Sequence, residues 1–159
     1  MEKEVQIKGR VFVGVMRGWG MISHFFDRLK GILGFVPFKG TLNIKLEREI
    51  DIHQYATKSI DHILIDGTRH LDALIAPVIL TVGSEEYVCW AMRDMSERMS
   101  GIYTKDIVEI VAKENLSEKF GLKNDDEVIV TFFDTGRRKK ELPFMGPMRK
   151  LYGVEPRQD

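Results

Sequence analysis

GFVPFKGTLNIKL, running from Gly34 to Leu46, is the stretch whose reading decides the rest of the chain. Pro37 fixes one backbone angle and removes an N–H donor, while Gly34 and Gly40 permit conformations that other residues resist, so a turn delivers a strand. Side chains alternate along that strand, which puts Thr41 and Asn43 on one face and Leu42, Ile44 and Leu46 out of phase with them. A hydroxyl and an amide carbonyl at that spacing are hard oxygen ligands, suited to a partly hydrated magnesium ion that draws its remaining ligands from water and phosphate. Thr and Asn after a glycine are also ordinary turn and strand-start residues, and spacing alone does not choose between the two readings.

The chain has 159 residues, 43% hydrophobic and 30% charged, enough for one domain with a core of its own. Lys plus Arg and Asp plus Glu both number 24, so the overall balance points to neither a nucleic-acid nor a membrane partner. The distribution is uneven. From Arg137 onward there are seven basic and three acidic residues, leaving 17 against 21 in the remainder. Cys89 is the only cysteine, which excludes an intramolecular disulfide and a cysteine-based zinc site and favours a cytoplasmic setting. No apolar run approaches the roughly 20 residues of a spanning helix, and the N-terminal residues do not resemble a signal peptide.

Val5 to Val15 is rich in β-branched residues and predicts a first strand interrupted by Gly9. The loop after it carries Gly14, Gly18 and Gly20, where backbone amides can face an anion, although neither a Walker ending nor a dinucleotide fingerprint is present. Ile22, Phe25, Phe26, Leu29, Ile32 and Leu33 recur at helical spacing, and Gly34 stops that helix. Residues 47–67 alternate polar and apolar and predict strands, with Asp66 and Gly67 marking a hairpin; Gly83 and Ser84 mark another, between Ala73–Val82 and Glu86–Met95. Met92, Met95 and Met99 have the spacing of a short apolar helix face. His53, His62 and His70 are too scattered for a helical metal motif and are assigned no chemistry. Asp106–Ala112 reads as a strand with Val108 and Ile110 on one face and Ile107, Glu109 and Val111 on the other, so a carboxylate interrupts an apolar face. It serves either a salt bridge or a ligand hydroxyl. Asn115 and Glu118 form a capping pair for a helix LSEKF ending at Gly121, and Glu127–Phe133 is a last strand. The glycines and prolines beyond it divide the chain into a strand-rich domain, 1–134, and a basic C-terminal extension, 135–159.

Taken together, Gly9-x-Val11, a glycine-bearing loop, a helix, unbroken GF-x-P-x-x-GTLN, the VEI segment and GLKNDDEV resemble the archaeal CTP-dependent riboflavin kinases over roughly residues 5–133. The resemblance implies a mainly β fold with short helices, a single cradle-loop β-barrel. It also implies magnesium-dependent transfer of the γ-phosphate of a nucleotide, CTP in that family, to riboflavin, giving FMN. Carried over by motif, Thr41 and Asn43 hold Mg2+, and Glu109 is both catalytic and flavin-binding, with Gly101 also facing flavin. The nucleotide falls to Gly14, Val15, Met16, Arg17, Gly18 and Trp19 and to Glu114, Asn115, Leu116 and Ser117. The loop Val13–Gly18 lacks the family's Ser and middle Gly, and the Thr-x-His before VEI and the Pro and Arg after it are not matched; Arg17 or Lys113 can supply replacement charge. A non-enzymatic flavin- or nucleotide-binding module is the alternative. A nucleic-acid-binding barrel has support only from the basic residues Arg137–Lys140.

Overall fold

The computed structural model describes residues 3–12, 18–95 and 105–136, with residues 18–25 described as backbone only. Its strands are β1 (Lys3–Val11), β2 (Leu42–Leu46), β3 (Lys58–Ile63), β4 (Arg69–Val82), β5 (Glu85–Asp94), β6 (Ile107–Val111) and β7 (Glu127–Asp134); the helices are α1 (Gly18–Leu33) and α2 (Leu116–Phe120), with one 3-10 turn at Ile52–Gln54. All pairings are antiparallel in the order β3-β4-β5-β6-β2-β1-β7, and β7 pairs back onto β4. The six strands β4, β5, β6, β2, β1 and β7 therefore close into a barrel, as the sequence reading expects, and closure removes their free edges.

β3 lies outside that ring, on a shared edge of β4. The first half of β4 pairs with β3 up to Ile75, and from Val78 the same edge pairs with β7. Pro77 falls between the two partners. The Ile75 carbonyl accepts from Thr57 N across this edge, so by alternation the Pro77 nitrogen faces the same way, where a missing donor costs no ladder bond.

The period of two sorts the core. Leu74, Ala76, Val78 and Leu80 of β4, Ala91, Val108, Ile110, Leu42, Ile44, Val130 and Phe132 fill the barrel interior. The opposite face of the sheet is buried as well where α1 covers it: Leu29, fully buried, packs with Ile60, Ala73, Ile75, Met92 and Val111, flanked by Phe26, Ile32, Leu33 and Trp90. The described part of the α1 stripe, Phe26, Leu29, Ile32 and Leu33, thus packs against the outside of the barrel.

Several expectations shift. β1 is continuous through Gly9, which pairs with both Leu46 and Val128, and it ends at Val11; residues 13–15 lie outside the described residues. α1 begins at Gly18 rather than Ile22, so Gly18, Trp19 and Gly20 belong to its first turn and not to the loop. The strand expected over residues 47–57 is instead a loop with a 3-10 turn, capped by Asp51 accepting from His53 N at 3.2 Å. There the alternation reflects Ile50, Ile52, Tyr55 and Ala56 plugging the core. Arg93 holds that loop to β6: Nη1 donates to the Ile50 carbonyl at 3.1 Å and Nη2 to those of Lys105 at 2.6 Å and Ile107 at 3.2 Å. Met92 lies in β5 and Met95 follows it, so the short helix is not formed there; Met99, like the basic residues 137–159, lies outside the described residues. Both hairpins fall as expected, with Gly67 and Gly83 at φ of 87° and 61°.

Gly9 is needed for close approach rather than for a turn. A Cβ there would lie 2.6 Å from Ile44 Cγ2 and 3.0 Å from the Lys45 carbonyl oxygen, and Ile44 is fully buried, so neither neighbour can yield. Gly9→Ala is expected to cost about 1–3 kcal/mol of unfolding free energy in urea titration, the range for overpacking a filled core.

Candidate functional site

The hairpin-free pairing of β2 with β6 sets the site. Leu42 lies opposite Ile110 and Ile44 opposite Val108, all pointing inward, so the intervening pair Asn43 and Glu109 points outward together. Met92 of β5 flanks Glu109 on its other side. Thr41, one residue before β2, places its hydroxyl within 3.5 Å of Glu109 Oε2 and donates to it. Thr41, Asn43 and Glu109 therefore meet at one position on the outer face, as the phase of the two strands predicts.

The turn before β2 explains how Thr41 is held. Gly34, at φ of 78°, ends α1 with its N–H on the Lys30 carbonyl, and Phe38 N then donates to the Ala112 carbonyl at 2.8 Å, tying the loop to the end of β6. Asn43 and Glu109 are only 8% and 3% exposed. Asn43 Oδ1 is buried with no hydrogen-bond partner among the described residues. A buried carbonyl oxygen without a donor costs stability unless something positive reaches it, and it lies beside a hydroxyl and a carboxylate. That donor set suits a hard divalent cation.

A cleft of about 20 Å3 opens next to this cluster, lined by Gly40, Thr41 and Ala112 and by Glu114, Asn115, Leu116 and Ser117. The segment singled out for nucleotide is thus brought against Thr41. Sites for small molecules run to several hundred Å3, so this cleft does not by itself hold a nucleotide. The capping pair forms as expected: Asn115 Oδ1 accepts from Glu118 N at 3.2 Å, and Gly121 closes α2 at φ of 62°. Glu114 accepts from the Tyr87 hydroxyl at 2.8 Å and pairs with Lys119 at 3.7 Å, while Lys113 lies over the Phe35 ring at 5.4 Å. Of the other singled-out positions, Gly14, Val15, Met16, Arg17 and Gly101 lie outside the described residues, and Gly18 and Trp19 are described as backbone in α1.

The sequence reading missed one cluster. His62 and His70 face each other across the β3–β4 hairpin, and both ring Nδ1 atoms approach the buried carboxylate of Asp72, at 2.8 and 3.3 Å. Burial alone would raise the Asp72 carboxyl, but hydrogen bonding and charge from His62, with help from His70 and Arg28, hold it below the usual carboxylate value. The signal was available: a turn at Asp66–Gly67 folds residue 62 back onto residue 70.

A family model for the CTP-dependent riboflavin kinase domain, described as DUF120, a domain of unknown function, matches residues 11–132. The chain belongs to this family. Among curated relatives, the riboflavin kinase of Methanococcus vannielii is 32% identical over 125 residues, covering 75% of this chain and 94% of that protein. The riboflavin kinase of Sulfurisphaera tokodaii is 27% identical over 134 residues, covering 82% and 97%. That of Methanospirillum hungatei is 28% identical over 138 residues, and there the match spans 58% of the relative's length. Among the described residues, no helix is long and apolar enough to cross a membrane.

Tyr87 gives the wall of the cleft a pH signature. Burial first, then its hydrogen bond to Glu114, raises its hydroxyl to about 12 from the ordinary value near 10. The neutral phenol is favoured in the folded state, so its contribution is complete below about pH 10 and is lost as pH rises towards 12. Tyr87→Phe is accordingly expected to be less stable than the parent chain near neutrality, with the difference shrinking between pH 10 and 12 in urea unfolding series.

Proposed function

We propose that this chain is a magnesium-dependent riboflavin kinase that transfers the γ-phosphate of CTP to the 5′-hydroxyl of riboflavin, giving FMN and CDP. The observation that carries the reading is the meeting of Thr41, Asn43 and Glu109 at a single position across β2 and β6. A phosphoryl acceptor and the cation that neutralises the phosphates must lie within a few ångströms of each other, and here candidate groups for both tasks are neighbours. Family membership supports riboflavin as the acceptor.

Thr41 Oγ1 and Asn43 Oδ1 would hold Mg2+, and the buried, donorless Asn43 oxygen fits that assignment. Bound there, the ion would neutralise charge on the phosphate oxygens. Glu109, almost fully buried, accepts the proton of the riboflavin 5′-hydroxyl as the new phosphorus–oxygen bond forms and the bond to the β-phosphate oxygen breaks. The Thr41 hydroxyl, donating to Oε2, keeps that carboxylate turned towards the site. Glu114–Ser117 form a wall for the nucleotide beside Thr41, and the glycine-bearing segment 14–19 supplies backbone amides to its phosphates. No covalent enzyme intermediate is required. We take residues 1–134 as the catalytic barrel and 135–159 as a basic extension, in a cytoplasmic protein that meets free nucleotide and flavin.

Incubation with riboflavin, Mg2+ and CTP, ATP, GTP or UTP in turn, read by chromatography, is expected to yield FMN with CTP preferred. No FMN with any donor refutes the kinase, and stabilisation by flavin or nucleotide without turnover would mark a binding module, the reading suggested by the altered loop Val13–Gly18. Two variants separate the roles. Asn43→Ala is expected to raise the Mg2+ requirement and lower turnover while metal-free riboflavin binding stays near normal. Glu109→Gln keeps an acceptor for the Thr41 hydroxyl but removes the base, and is expected to lose about 10²-fold or more in rate with little change in metal dependence. Parallel losses of melting temperature, with activity following the folded fraction and metal dependence unaltered for Asn43→Ala, would refute the assignment.

A further inference from the structure

The β3–β4 hairpin carries a second group of ligating side chains away from the β2–β6 cluster. One ligand atom each from His62, His70 and Asp72 lie within 4.8 Å of one another. The spacing is more specific than proximity. In a tetrahedral zinc site with bonds of about 2.0–2.1 Å, neighbouring ligand atoms are about 3.3 Å apart. His62 Nδ1 is 2.8 Å from Asp72 Oδ2 and His70 Nδ1 is 3.3 Å from Asp72 Oδ1, so each imidazole meets its own oxygen of the carboxylate, the second at that length and the first somewhat closer. The rings lie side by side, with centroids 4.8 Å apart and a 32° tilt, and both are partly exposed, at 46% and 39% of the side chain, so solvent reaches the cluster.

The backbone brings the three side chains together. His62 and His70 are direct cross-strand partners, and Asp72 sits at the register shift two residues further along β4, where Ile60 pairs with Ala73 and Asp61 with Leu71, with its carboxylate reaching both rings. The Asp72 carboxylate is anchored by burial at 6% exposure. We propose that His62, His70 and Asp72 form a binding site for a borderline transition-metal dication of the Zn2+ class, with water as the fourth ligand. Each neutral imidazole binds through Nδ1 and carries its proton on Nε2. Two imidazoles and one carboxylate favour Zn2+ or Co2+ over Mg2+, which prefers oxygen ligands and retains its waters. The site would therefore fill independently of the magnesium proposed at Thr41 and Asn43.

Arg28 sharpens the test. Its Nη1 lies 3.3 Å from Asp72 Oδ2 and 3.1 Å from the Asp61 carbonyl, so it shares the carboxylate that the metal needs. An arginine and a dication at one oxygen repel, and metal binding must compete with this contact.

The experiment titrates Zn2+ into the full, untagged chain by calorimetry and follows Co2+ by visible absorption. One Zn2+ per chain is expected, with the d–d bands of four-coordinate Co2+ displaced by Zn2+ but not by excess Mg2+. His62→Ala and His70→Ala, both at partly exposed positions, are each expected to weaken binding by about tenfold or more, a loss at least as large as that for removing an orienting partner. Arg28→Gln is expected to tighten it. No saturable binding at one equivalent, affinity unchanged in both histidine variants, or no tightening in Arg28→Gln would each overturn the proposal. Should a histidine variant fail to fold, imidazole NMR of the parent chain decides. Zn2+-induced shifts confined to His62 and His70 support the site, and shifts at His24 or His53 instead overturn it.

Discussion

The antiparallel register between β2 and β6 is the constraint on which the rest depends. Its inward pairs, Leu42 with Ile110 and Ile44 with Val108, are part of the barrel core, and burying them fixes which residues look outward. A slip of one residue would drive Glu109 into that core and turn its aliphatic neighbours to the outer face. Apolar burial, which has no chemical preference for a carboxylate or an amide, thereby decides where a carboxylate and an amide meet.

The outer face shows the same division of labour. Val111 and Met92 lie under Leu29 of α1, and Glu109 is two residues along β6 from Val111 and directly across from Met92. The helix therefore does for the outer surface what the barrel interior does for the inner one: it buries the apolar residues on either side of Glu109. Arg28, on the preceding position of that helix, reaches Asp72 on β4, so one turn of α1 contacts the surroundings of both polar clusters.

Much of this was legible in the sequence. GF-x-P-x-x-GTLN delivered the turn, the strand phase and the pairing of Thr41 with Asn43, and the VEI alternation placed Glu109 on the correct face, because period two is a local property of the backbone. The caps of α2 and both hairpin turns are local as well. What failed was non-local. Alternation over residues 47–57 has the pattern of a strand, yet Ile50, Ile52 and Tyr55 alternate because they plug a core built from distant strands. Gly9 reads as an interruption only until Ile44, from another strand, is seen to occupy the space of its missing side chain. His62 and His70 looked scattered because distance was judged along the chain rather than across a hairpin, which also brings Asp72 to them.

Pro77 has a meaning that reaches beyond the finished fold. β3 and β4 are joined by a tight turn and can pair early, whereas β7 arrives on the same edge of β4 only after the rest of the barrel has been threaded. Pairing across a short loop forms ahead of pairing across a long one. Without a break in its donors, β4 would offer the first-formed hairpin a continuous template on which to zip onward into the berth reserved for β7. The ring of Pro77 leaves a gap in that template at the frontier between Ile75 and Val78, where pairing with the hairpin ends and pairing with β7 begins.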